Sequence, residues 1–140
     1  MKKAVVVYRS KTGITKKFAE AISSHIAGNG TEVQTLSVEA CTDGIGAQAD
    51  YVLLGCWTSG FLLFFLQHPD GVWKQFAQKL PDLSGKKVAL FTTYKVATGS
   101  MFSSMKKHLR LSPAEPVVEL RSRNGSISEE HQIALDKLLG

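Results

Sequence analysis

The sequence predicts an α/β fold, a single domain spanning residues 1–140 in which a parallel β-sheet is covered by helices on both faces. Three observations predict it. Five short runs rich in valine, leucine and aromatic residues are bounded by Gly, Pro, Asn or Asp. Segments with apolar residues at helical spacing separate them, which calls for right-handed crossovers. Three of the runs are almost continuously apolar, as strands are when both faces are covered.

The first run, "KAVVVY" (3 to 8), is a buried strand, and after the polar loop "YRSKTGIT" comes a helix with Ile14, Phe18, Ile22 and Ile26 on one face. "NGT" after Gly28 stops that helix. "TEVQTLSV" (31 to 38) alternates, with Val33, Thr35 and Ser37 against Gln34, Leu36 and Val38, and reads as an edge strand. "EACTDGIGAQ" is too short to specify a helix, so the second crossover has none assigned. "ADYVLLGC" (49 to 56) is the third strand; "GVWKQFAQKL" (71 to 80) follows as a helix with Val72, Phe76 and Leu80 as its stripe. "KKVALFTT" (86 to 93) is the fourth strand, "SMFSSMKKHL" (100 to 109) a helix with Phe102, Met105 and Leu109, and "EPVVELR" (115 to 121) the fifth strand. The last helix starts at "SISE", where Ser126 and Glu129 fit a capping box, and runs through Ile133, Ala134 and Leu138.

Composition excludes several classes. With 44% apolar and 21% charged residues and no repeat or low-complexity tract, the chain is an ordinary globular one. The start "MKKAVVVYRS" falls short of the ~7 to 15 apolar residues of a signal peptide, so a cytoplasmic location is expected. "FLLFFL", Phe61 to Leu66, is far below the ~20 residues of a transmembrane helix. It reads either as buried packing or as an apolar lip for a partner, a small substrate or a second subunit, which leaves the oligomeric state open.

Cys41 and Cys56 lack a CxxC spacing, and His25, His68, His108 and His131 are scattered as surface residues are, so no metal site is expected. There is no G-x-S-x-G, no paired carboxylate and no C-x5-R loop, and no catalytic residue is assigned. The 17 basic against 12 acidic residues give a net charge of +5 and a pI near 9.3. The lysines fall at strand starts and on helix faces as solvated surface, without a nucleic-acid-binding motif.

In such a sheet, ligands bind beyond the carboxyl ends of the strands. The loop after the first strand combines Ser10, Thr12 and Thr15 with Gly13 and no carboxylate, and opens a helix, so its hydroxyls and amides suit an anion such as a phosphate. Neither G-x-x-x-x-G-K-[ST] nor G-x-G-x-x-G is present. The bland alternative is a polar loop that caps the helix through Thr12. Trp57 and Phe61 after the third strand and Tyr94 after the fourth offer flat walls for a planar group, and Gly55, Gly60 and Gly99 would let the main chain approach a ring.

This pattern resembles the flavodoxin family, whose phosphate loop [ST]-x-T-G-x-T is matched by Ser10, Thr12, Gly13 and Thr15, with "YVLLGCWTSG" and "VALFTTYKVATGSMF" similar to its third and fourth strands and their loops. The resemblance implies a three-layer sandwich with strand order 2-1-3-4-5, a noncovalently bound FMN and a role in electron transfer. It implies that Ser10, Lys11, Thr12, Gly13, Ile14 and Thr15 hold the FMN phosphate and that Thr58 lies near the ribityl and ring edge. Trp57, Ser59, Gly60 and Phe61, with Thr93, Tyr94, Lys95 and Gly99, would flank the isoalloxazine.

Two departures stand out: Ser59 stands where flavodoxins often have tryptophan, and Tyr94, Lys95 and Thr98 stand where the fourth loop often carries a tyrosine and acidic residues. A carboxylate-poor pocket beside Lys95 should stabilise an anionic reduced flavin and make the second midpoint less negative. The basic surface should suit a redox partner protein with an acidic docking face. Alternatives are a flavin-free binding module of the same fold, or an FMN-dependent oxidoreductase of the quinone reductase or protoporphyrinogen oxidase type. A receiver domain is disfavoured, because Tyr8 and Arg9 stand where it needs acidic residues.

Overall fold

The structure, a computed structural model, describes residues 1–59, 67–113 and 115–140. Five strands, β1 (Lys3–Arg9), β2 (Glu32–Ser37), β3 (Tyr51–Trp57), β4 (Lys87–Thr93) and β5 (Val118–Ser122), form one parallel sheet in the order β2-β1-β3-β4-β5. Strand β1 registers Val6 against Thr35 of β2 and Leu53 of the central strand β3, which in turn sets Leu54 against Leu90 of β4. The alternating run "TEVQTLSV" is the edge strand its pattern predicts.

The period-2 geometry of strands sends alternate residues to opposite faces. Val5, Val7, Val52, Leu54, Val88 and Leu90 pack with α2 (Gly71–Gln78) and α3 (Met101–Lys107). Val6, Leu53, Ala89, Phe91 and Leu120 pack with α1 (Ile14–Gly28) and α4 (Glu129–Leu139). Fully burying side chains such as Phe18, Ile22 and Trp73 stabilises the fold by roughly 1.5–3 kcal/mol each relative to exposure, so the two cores dominate its energetics. Lys106 of α3 also pairs with Glu119 of β5 (2.6 Å), and His25 of α1 with Asp136 of α4 (2.8 Å).

Some helix faces differ from the sequence reading. In α2 the buried stripe is Trp73, Ala77 and the following Leu80, with Phe76 partly buried and Val72 exposed, because this face puts the large indole of Trp73 into the core. In α4, Leu135 and Leu138 are buried while Ile133 is 51% exposed. The capping box also lies two residues later than Ser126 and Glu129: Ser128 Oγ accepts from His131 N (3.2 Å), and His131 Nδ1 accepts from Ser128 N (3.0 Å). An acceptor at Nδ1 leaves the proton on Nε2, which donates to the Arg121 carbonyl (2.8 Å), so histidine does here what Glu or Gln does in the usual box. The β2–β3 crossover contains a single 3-10 turn, Val38–Ala40, and further turns. None of the helices among the described residues is long and apolar enough to cross a membrane.

Candidate functional site

The carboxyl ends of β1, β3 and β4 open into a cleft of about 430 Å³, within the range of small-molecule sites. Its floor is the loop that turns β1 into α1. Gly13 is the N-cap of α1 with φ 95°, a left-handed conformation that a side chain would strain. Its N–H donates to Ser10 Oγ (3.0 Å), which closes the loop. Among the described residues no side chain caps α1, so Thr12 does not act as the cap, and the first-turn amides that every helix leaves without intrahelical partners have no side-chain acceptor there. Thr15, 1% exposed, points inward instead, and its hydroxyl is 2.6 Å from that of Thr93.

One wall comes from β3. Trp57 has its indole N–H on Asp70 Oδ2 (3.1 Å), and Lys11 Nζ lies 4.7 Å from its ring centroid. Asp70 is a hub. Its Oδ1 accepts from Trp73 N (3.0 Å) and so caps α2, and its Oδ2 also accepts from Arg9 Nε (2.8 Å), while Arg9 Nη1 reaches Glu39 (2.5 Å). Burial pushes the Asp70 carboxyl up, but the donors Trp73, Arg9 and Trp57 outweigh it and hold the group below its ordinary value. Asp70 is thus a charged anchor behind the tryptophan.

Thr58 continues β3, with its N–H on the Thr93 carbonyl (2.9 Å). The Thr92 hydroxyl donates to the Cys56 carbonyl (2.7 Å), so Thr58 Oγ1 donates to Thr92 Oγ1 (2.8 Å) and keeps its lone pairs free to accept. Ser59 pairs with His68 (N to O, 3.0 Å), and Ser100 Oγ donates to the Gln67 carbonyl (3.0 Å).

The other wall is Tyr94 with Lys95, Val96 and Ala97, and Arg123 enters from the loop after β5 with its Cζ 5.4 Å from the Tyr94 ring centroid. Among the described residues, Lys11, Lys95 and Arg123 bring three cations to the lining and no carboxylate accompanies them.

Of the residues expected from sequence, the cleft brings together Lys11, Thr12, Ile14, Trp57, Thr58, Ser59, Thr93, Tyr94 and Lys95. Ser10 and Gly13 shape the floor, Thr15 braces it from inside, and Gly99 (φ 50°) lies beyond the cleft in the turn before α3. Gly60, Phe61 and the rest of "FLLFFL" lie outside the described residues. Gly55 does admit a ring, but the protein's own: a Cβ there would sit 1.9 Å from Phe91 Cε2.

Gln67, Val96, Ala97 and Arg123 also line the cleft without having been singled out. All four fall in the carboxyl-end loops, and that position was their signal. The cysteines take no part. Burial pushes the Cys56 thiol well up and the Cys41 thiol up to about 11, which keeps both protonated.

The donor set fits a phosphorylated planar cofactor: uncapped helix amides and hydroxyls for the phosphate, aromatic walls for the ring, and no carboxylate to repel the anion. The comparisons agree. Residues 5–111 match the model of the flavodoxin domain. The flavodoxin of Megasphaera elsdenii is 32% identical over 103 residues, 73% of this chain and 72% of that protein. That of Clostridium beijerinckii is 33% identical over 90 residues, 64% of this chain and 62% of that protein. The solution structure of the two-electron reduced Megasphaera elsdenii flavodoxin superposes with a TM-score of 0.75, at 25% identity and 96% coverage of both chains. The chain therefore belongs to the flavodoxin family, as an electron-transfer protein whose cofactor is FMN.

Proposed function

We propose that this flavodoxin holds FMN in the cleft between the loops after β1, β3 and β4 and passes electrons to an acidic redox partner. The observation that carries the reading is the uncapped N-terminus of α1 at the floor of a cleft walled by Trp57 and Tyr94. FMN, when bound, accepts and releases electrons. The protein's part is to bind, orient and tune. First-turn amides of α1 and the Thr12 hydroxyl hold the phosphate, Thr58 accepts from the ribityl chain or ring edge, and Trp57, fixed by Asp70, sets one ring wall.

Lys11, Lys95 and Arg123 lower the energy of added negative charge in the cleft, so the second midpoint should be less negative than in flavodoxins with an acidic surround. The same cations at the cleft mouth would steer an acidic docking face, an attraction that salt weakens over the Debye length of about 8–10 Å. Potentiometric titration of the FMN-loaded protein tests the reading. A Lys95→Glu variant should shift the second midpoint to more negative values, and midpoints that do not respond to this charge reversal would contradict the electrostatic account.

A further inference from the structure

We propose that Arg123 reads the charge of the cofactor's phosphate and so sets the preference for the phosphorylated flavin over the unphosphorylated one, an inference that rests on the FMN reading above. The loop from β5 to α4 lies flush on the first turn of α1. Gly125 sits at φ 82°, and a Cβ there would be 2.7 Å from the Ile14 carbonyl oxygen and 3.2 Å from Lys17 Cβ, so only glycine admits this approach.

The loop is braced from within. Ser122 Oγ accepts from Gly125 N (3.0 Å), Asn124 Oδ1 accepts from Ser126 N (2.9 Å), and the Ser122 carbonyl accepts from Tyr94 N (3.2 Å). Arg123, two residues before Gly125, lines the same cleft as Thr12 and Ile14.

The chemistry of the four arginines separates this one. Arg9 is paired with Asp70 and Glu39, Arg110 donates to the Leu80 carbonyl, and Arg121 donates to Thr98 Oγ1 (3.2 Å). Among the described residues no hydrogen bond and no carboxylate partner engages Arg123, whose contact is the Tyr94 ring. A guanidinium with its donor fork free, lining the cleft into which the uncapped start of α1 opens and whose described lining has no carboxylate, suits a phosphate dianion by two-point hydrogen bonding. Tyr94 holds the side chain over the cleft meanwhile.

Affinities of the full chain for FMN and for riboflavin, by flavin fluorescence quenching at low and moderate salt, test this. Arg123→Gln should weaken FMN binding about tenfold and leave riboflavin within about twofold, and Arg123→Lys should restore part of the loss. Equal losses for both flavins would assign Arg123 to the Tyr94 wall and overturn the proposal, as would unchanged FMN affinity. A wild-type protein that binds neither flavin would overturn the cofactor reading, and this proposal with it.

Discussion

Asp70 joins the fold to the site, and its removal has a calculable effect. In Asp70→Ala, α2 loses its cap, which costs about 1 kcal/mol, and the Trp57 indole N–H and the Arg9 guanidinium lose an acceptor, each worth about another 1 kcal/mol. Arg9 retains Glu39, so the expected loss is about 2–4 kcal/mol. Asp70→Asn keeps one acceptor oxygen for the cap and should lose about half as much.

The pH dependence follows from the lowered carboxyl. A group whose folded value is below the ordinary 3.8 contributes stability that is complete above that value and is lost as pH falls through the folded one. Urea denaturation at neutral pH measures both losses. Repeated down to acid pH, it should show the gap between wild type and Asp70→Asn closing below the ordinary carboxylate range. An Asp70→Ala protein within about 0.5 kcal/mol of wild type, or a gap indifferent to acid, would refute the hub.

Gly55→Ala should destabilise the protein by about 1–3 kcal/mol in a thermal melt, because its Cβ would collide with Phe91, a ring packed edge-on against Phe18. Ser128→Ala should cost about 1 kcal/mol and Ser126→Ala close to nothing in the same assay; the reverse ranking would return the capping box to Ser126. Thr12→Ala should weaken FMN binding by about 1 kcal/mol without altering the melt, whereas Thr15→Ala should lower stability by about 1–3 kcal/mol through the buried Thr93 hydroxyl it leaves unpaired. Titration and melting of the two variants separate these effects.

The fold was largely legible because strand burial writes itself as continuous apolar runs, and the edge strand β2 as an alternating one. Helix faces were less so. In α2, Trp73 rather than Val72 enters the core, since both lie in one apolar-rich turn and the larger side chain gains more by burial, which spacing alone does not rank. The capping box was misplaced because "SISE" fits the Ser/Glu pattern, while the working pair uses a histidine that also reaches the Arg121 carbonyl.

Loop position after a strand was enough to put Thr12, Trp57 and Tyr94 together in the lining of one cleft. It did not reveal that Thr15 turns inward to Thr93, that Gly55 serves Phe91, or that Asp70 and Arg9 stand behind Trp57. Each of these depends on a contact between residues far apart in sequence. Arg123, which lines the cleft from the loop after β5, belongs to the same class.

The most direct test of where FMN sits is a two-dimensional amide NMR titration of the protein with FMN. Binding in the cleft predicts the largest shifts at residues 11–16, 57–59 and 93–97, with the Trp57 indole N–H moving while that of buried Trp73 stays. Shifts concentrated elsewhere, such as the groove lined by Cys41, Ile45 and Phe76, with residues 11–16 unmoved, would contradict the account.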